Sequence, residues 1–102
     1  MTNGPLYTTQ NSNTPSVLTS ATALASNTAR IGWSIQNQGT NALYILLGSG
    51  ATTSIYHFIL KACSVAADGT GGSISQASGA VYNGIITVAG TSPSYTVLEM
   101  AP

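Results

Sequence analysis

The stretch Ala29-Arg30-Ile31-Gly32-Trp33-Ser34-Ile35-Gln36-Asn37 decides the fold class. Its side chains alternate, with Ile31, Trp33 and Ile35 on one face and Arg30, Gly32, Ser34 and Gln36 on the other. A period of two is the geometry of a strand, whose successive side chains point to opposite faces; a helix needs apolar positions three and four apart. Turn chemistry follows in Asn37-Gln38-Gly39-Thr40-Asn41. Glycine takes positive φ without steric cost, and asparagine side chains bond to nearby backbone. Arg30, with five N–H donors at the head of the strand, is expected to hold several carbonyls. Asn37 and Asn41 are expected to satisfy backbone groups around Gly39, so Arg30, Asn37, Gly39 and Asn41 form a structural turn-and-strand motif.

The same grammar extends in both directions. Val17 to Ala25 alternates weakly and reads as a strand, since Thr19 and Thr22 disfavour a helix and no helical stripe is present. Ala42 to Leu47 is a continuous apolar run, expected to be covered on both faces. Ser54 to Cys63 reads as a strand, with Tyr56, Phe58, Leu60 and Ala62 on one side and Ile55, His57, Ile59 and Lys61 on the other. Asp68-Gly69-Thr70-Gly71-Gly72 is a flexible loop, and short strands follow near Ser73 to Gln76 and Ala80 to Tyr82. Ile85 to Ala89 and Tyr95 to Met100 flank Gly90-Thr91-Ser92-Pro93-Ser94 and read as a hairpin.

Turn signals recur roughly every 8–12 residues, the spacing of a sandwich or barrel, and no amphipathic helix interrupts them. The fold class is therefore all-β: a single-domain antiparallel β-sandwich or small jelly roll of about seven to nine short strands. Residues 1–15 read as an extended N-terminal arm and 16–102 as the sandwich domain. Leu6 and Tyr7 are the arm's only large apolar side chains and its candidate partner contacts. Residues 1–13 have neither a basic nor an apolar region, so they are not expected to act as a signal peptide.

Charge is the abnormal quantity. Only 4% of the chain is charged, in Arg30, Lys61, Asp68 and Glu99, where about a quarter is typical. A net charge of zero offers no field for phosphates or anionic lipids, so neither nucleic acid nor a membrane is an expected partner. Neutrality also removes the repulsion between copies, which favours permanent assembly; a trimer or dimer is the expected homo-oligomer. With Cys63 as the single cysteine, no internal disulfide forms, which fits folding in a reducing cytoplasm.

Chemistry-bearing residues are too few and too scattered for catalysis. Asp68 in a Gly-rich loop and Glu99 on the last strand are expected to be solvated charges rather than an acid–base pair. His57 and Cys63 lie six strand positions apart, roughly 20 Å, beyond the reach that thiolate activation needs. His57 is expected to be partly buried or at an interface, and Cys63 to be a small buried hydrophobe. One His, one Cys and two carboxylates do not make a zinc site, and Gly69-Thr70-Gly71-Gly72 lacks the lysine and following helix of a phosphate loop. Trp33, Phe58 and Tyr7, Tyr44, Tyr56, Tyr82 and Tyr95 are expected in core or inter-subunit packing rather than in an exposed platform. The expectation is a non-enzyme with no catalytic, metal or cofactor residues, acting through its surface as a structural or binding protein.

Asn27, Arg30, Ile35-Gln36-Asn37, Gly39, Asn41, Tyr44 and Gly48, then Asp68 to Gly72, Tyr82-Asn83-Gly84 and Val97-Leu98-Glu99, form a pattern spread over Ala23 to Met100. In this pattern the chain resembles small virion proteins of tailed bacteriophages. The resemblance implies a β-sandwich structural protein on the phage capsid surface, made in the host cytoplasm. Its role would be that of a capsid decoration (cement) protein bridging shell subunits, with the major capsid protein or other virion proteins as partners. The alternative is a carbohydrate- or receptor-binding module on a tail or fibre, which requires Trp33 or several tyrosines exposed together. The family supplies no catalytic residues, and the arm before Ser16 departs from its pattern.

Overall fold

A computed structural model of the chain describes the backbone of residues 6–13, and residues 21–77 and 79–101 with their side chains. The described residues are all-β, without a helix. The strands are β1 (Leu6–Asn13), β2 (Ala21–Leu24), β3 (Gly32–Asn37), β4 (Leu43–Leu47), β5 (Phe58–Leu60), β6 (Ser73–Ala77), β7 (Ile86–Ala89) and β8 (Ser94–Ala101). They form two antiparallel sheets, ordered β1-β8-β3-β6 and β2-β7-β4-β5. Within the expected arm, the backbone of β1 pairs with β8 from Leu6↔Ala101 to Asn13↔Ser94. The side chains of Leu6 and Tyr7 lie outside the described residues, as do residues 17–20 of the strand expected over Val17 to Ala25.

Both sheets turn one face inward on a shared core. From the first sheet come Trp33 and Ile35 of β3 and Tyr95 and Val97 of β8, aligned by the pairs Ile35↔Val97 and Asn37↔Tyr95. From the second come Leu24, Leu43, Ile45, Leu60, Ile86 and Val88, with Ile45 opposite Val88. Burying each such side chain stabilises the fold by about 1.5–3 kcal/mol, so registry across the two sheets is strongly specified. A one-residue slip of β3 would exchange Trp33 and Ile35 for Ser34 and Gln36.

Chain order and sheet membership interleave. Every described connection after β2 crosses from one sheet to the other except β4 to β5, which stays within the second sheet. Ile85 to Met100 is accordingly not a hairpin: β7 pairs with β2 and β4, whereas β8 pairs with β1 and β3. The turn 90–93 spans the sandwich, because its Gly, Ser and Pro serve a crossover as well as a hairpin.

Four other expectations are corrected. Ile31 is exposed: β3 begins at Gly32, so Ile31 lies in the crossover and the strand's alternation does not reach it. In β4 only Leu43 and Ile45 are buried; Leu47 on the same face is half-buried at the strand's end against the core, and Tyr44 and Leu46 are half-buried on the outer face, which no described residue layer covers. The strand expected over Ser54 to Cys63 shrinks to Phe58–Leu60, preceded by turns. Residues 80–82 form no strand, their place being taken by the crossover from β6 to β7.

Candidate functional site

Two polar hubs sit at opposite ends of β3. At its start Arg30 is buried, although it precedes the strand. Its Nε donates to Glu99 Oε2 at 2.8 Å, Nη1 to the carbonyls of Tyr82 (3.0 Å) and Gly84 (2.9 Å), and Nη2 to that of Ala25 (2.6 Å). One guanidinium thus joins the β2–β3 crossover, the β6–β7 crossover and β8. Glu99, expected as a free solvated charge, is instead this ion-pair partner, its side chain 19% exposed. Asn83 reinforces the same end, with Nδ2 donating to the carbonyls of Asn27 and Thr28.

At the far end Asn37 is buried as well. Its Nδ2 donates to the carbonyls of Asn41 (2.9 Å), Leu60 (3.2 Å) and Lys61 (3.2 Å), and its Oδ1 accepts from Gly39 N–H at 2.9 Å. The Asn37 carbonyl accepts the Cys63 thiol at 3.3 Å. Gly71 packs so closely on this carbonyl that a β-carbon there would collide with it. Asn41 Nδ2 reaches not the Gly39 turn but the carbonyl of Thr91, at 3.1 Å, in the β7–β8 crossover.

Of the remaining reactive groups, the Cys63 thiol comes close enough to bond to the Asp68 carboxylate. Cys63 is buried beside Asn37, whereas His57 is exposed, its Nδ1 accepting the Leu47 N–H at 3.0 Å. Asp68 is exposed and closes its own loop. Its Oδ1 accepts from the Thr70 hydroxyl (2.6 Å) and N–H (2.9 Å), and its Oδ2 from Val65 N–H (2.9 Å). The Thr70 hydroxyl is the largest of these influences, and together they hold the Asp68 carboxyl down at about 2. Among the described residues no three of His, Cys, Asp and Glu gather closely enough to hold a metal ion, and no ligand-sized cavity is present.

What the described surface does offer is an apolar edge. β5 is one of the two outer strands of the second sheet, opposite β2. On β5 and the turn before it, Ile55 is 58%, Ile59 51%, Tyr56 38% and Phe58 37% exposed. The Tyr56 ring meets Tyr44 edge-on, with centroids 5.0 Å apart. The turn is fixed from within: Thr52 Oγ1 accepts from Ser54 and Ile55 N–H, and His57 N–H donates to the Ile45 carbonyl at 2.7 Å. These side chains are therefore displayed from held backbone. Sequence reasoning placed Tyr56 and Phe58 in core or inter-subunit packing; the structure takes them out of the core, and the signal for this is that Ile55 to Leu60 is apolar on both strand faces except for His57. Trp33, by contrast, is fully buried and unable to serve as a stacking platform; its indole N–H donates to Gln76 Oε1 at 2.8 Å.

No protein-family model matches the chain, and no curated protein or solved structure shows significant similarity to it.

Proposed function

We propose that this chain is a non-enzymatic structural protein of a phage particle, a capsid decoration protein that stabilises the shell by bridging its subunits. The observation that carries the reading is the surface: nearly uncharged, with an apolar edge displayed on fixed backbone at Ile55 to Ile59. A neutral surface of this kind suits permanent burial against a partner better than solution life or capture of a charged ligand. The strand order supports the reading at the level of architecture. Sheets β1-β8-β3-β6 and β2-β7-β4-β5 follow the winding of an eight-stranded jelly roll, a plan found in viral capsid proteins and lectins. Attachment to the assembled shell alone stabilises that shell by linkage, without any reaction.

Mass spectrometry of purified particles, with copy number, tests the proposal alongside cryo-electron microscopy of the same particles. Hundreds of copies and density on the outer shell are expected; a chain absent from the particle ends the reading, and about six or twelve copies would move it to a connector or tail. A carbohydrate- or receptor-binding module is the second reading, favoured by the exposed Tyr56 and Phe58. It loses Trp33 as a stacking group, and a glycan array without hits would remove it.

A further inference from the structure

Packing demands glycine at position 84. The Tyr82 side chain lies so close that a β-carbon there would collide with its hydroxyl. Asn83 precedes it, giving the only Asn-Gly pair among the described residues. Such a pair carries a chemical hazard. Without a β-carbon beside it, the glycine nitrogen can close on the asparagine side-chain carbonyl carbon, which is one reason asparagine is thermolabile.

Closure requires the side chain and the following peptide to rotate toward each other, and the structure holds both. Asn83 Nδ2 donates to the carbonyls of Thr28 (3.0 Å) and Asn27 (3.3 Å) and reaches that of Arg30 (3.5 Å). The peptide that carries the Gly84 nitrogen is planar, and its own carbonyl, that of Asn83, accepts Asn27 N–H at 2.8 Å. The next carbonyl, that of Gly84, accepts Arg30 Nη1 at 2.9 Å. Electrophile and nucleophile are thus pinned to one segment, residues 27–30 of the β2–β3 crossover. Asn83 is only half-buried, so these bonds rather than exclusion of water restrain it.

We propose that Asn83-Gly84 is a self-modification site kept closed by the Arg30 hub, one that makes a lasting opening of that end of the sandwich permanent. In the opened chain the Gly84 nitrogen gives up its proton and bonds to Asn83 Cγ. The Cγ–Nδ2 bond breaks, ammonia leaves with that proton, and a cyclic imide remains. One water then adds across either imide C–N bond, leaving an aspartate or an isoaspartate; nothing is oxidised or reduced. Both products place a carboxylate where an amide donated. It faces the carbonyls of Asn27 and Thr28, which cannot donate, while the Arg30 guanidinium is committed to Glu99 and to other carbonyls. Reclosure is therefore lost. This inference does not depend on the virion reading.

Peptide mapping by mass spectrometry of the purified full chain, aged in mildly alkaline buffer with and without guanidinium chloride, tests it. Conversion at Asn83 should be at least about tenfold slower in buffer alone, since it proceeds from the opened fraction. On removal of denaturant, the chains that fail to regain the fluorescence of buried Trp33 should carry the acid at Asn83, whatever the state of the Asn3-Gly4 pair. Arg30→Lys should speed conversion of the folded chain several-fold, whereas Asn37→Ala, at the other end of β3 and at least as destabilising, should leave it unchanged. Equal rates with and without denaturant, acid at Asn83 in the chains that refold, or equal acceleration by both variants would each overturn the proposal. The first two readouts use the unmodified sequence and stand even where a variant fails to fold.

Discussion

Replacing Asn37 tests how the sandwich is tied together. Asn37→Ala removes two amide hydrogens shared among the carbonyls of Asn41, Leu60 and Lys61, and the oxygen that receives Gly39 N–H. That is three hydrogen bonds' worth at a site 1% exposed, where water cannot readily replace them. A net bond contributes about 1 kcal/mol, and each buried group left without a partner costs about 1–3 kcal/mol. The expected loss is about 3–5 kcal/mol, a large share of the roughly 5–15 kcal/mol that holds a domain folded. At roughly 4–8 °C per kcal/mol for a chain near this size, the melting temperature should fall by at least about 12 °C.

Asn37→Asp sharpens the test, because it keeps the acceptor for Gly39 and loses only the donors. At neutral pH a carboxylate then faces three carbonyl oxygens, which raises its folded-state pKa above the unfolded value of about 3.9. A group with a raised folded pKa favours the fold below the unfolded pKa, and that contribution disappears as pH rises through the folded pKa. The variant should therefore recover stability relative to the parent chain on acidification, when its carboxyl can donate again. Urea unfolding followed by Trp33 fluorescence and circular dichroism at several pH values measures both effects. An Asn37→Ala midpoint equal to that of the parent chain, or an Asn37→Asp deficit that grows on acidification, would refute the assignment of Asn37 as the hub.

Other expectations follow from the same contacts. Gly71→Ala should destabilise by about 1–3 kcal/mol through overpacking on the Asn37 carbonyl, whereas Gly69→Ala, with open space around φ +84°, should cost about 1 kcal/mol from backbone strain alone; paired chemical denaturation separates them. Arg30→Lys retains the charge but cannot reach Glu99 and three carbonyls together, so a loss of about 2–4 kcal/mol is expected by calorimetry, with Arg30→Met no worse than Arg30→Ala. The Asp68 carboxyl should titrate at about 2 by carbon-detected NMR. Since its folded pKa is depressed, its contribution is present above the ordinary value and is lost as pH falls toward 2, a slope that Asp68→Asn should abolish.

Legibility in the sequence followed the range of the forces involved. Trp33 and Ile35 were readable because alternation within one strand is a local property, and Ile31 was misread because that rule was carried one residue past the strand's start. The β7–β8 crossover was invisible for a different reason. Strand period and turn composition are the same whether the next strand pairs with its predecessor or crosses to the other sheet. The choice is made by contacts such as Gln38 N–H to the Ser94 carbonyl (2.8 Å) and Asn41 Nδ2 to the Thr91 carbonyl (3.1 Å). Among the hubs, Arg30 and Asn37 announced themselves by donor count and turn position. Their partners did not: Tyr82, Gly84 and Glu99 lie 52, 54 and 69 positions from Arg30. Thr87 had no local signal either, its hydroxyl receiving Ala51 N–H and donating to the Gly48 carbonyl.

The scarcity of charge and the apolar edge have a common physical origin. A sandwich whose strands keep crossing between sheets must satisfy many irregular backbone groups at its two ends. Among the described residues no buried side-chain nitrogen or oxygen lacks a partner, and Asn37, Asn83, Gln76 and Thr87 meet much of that need with neutral amides and hydroxyls. Neutral donors avoid the desolvation cost of ions and fix geometry as firmly, and among the described residues there is one ion pair, Arg30 with Glu99. The surface then carries little charge with which to guard an edge, and β5 is protected by its brevity, three residues long, and by Lys61 directly after it. The hydrogen-bonding economy that builds the interior therefore accords with the action by contact proposed for the surface.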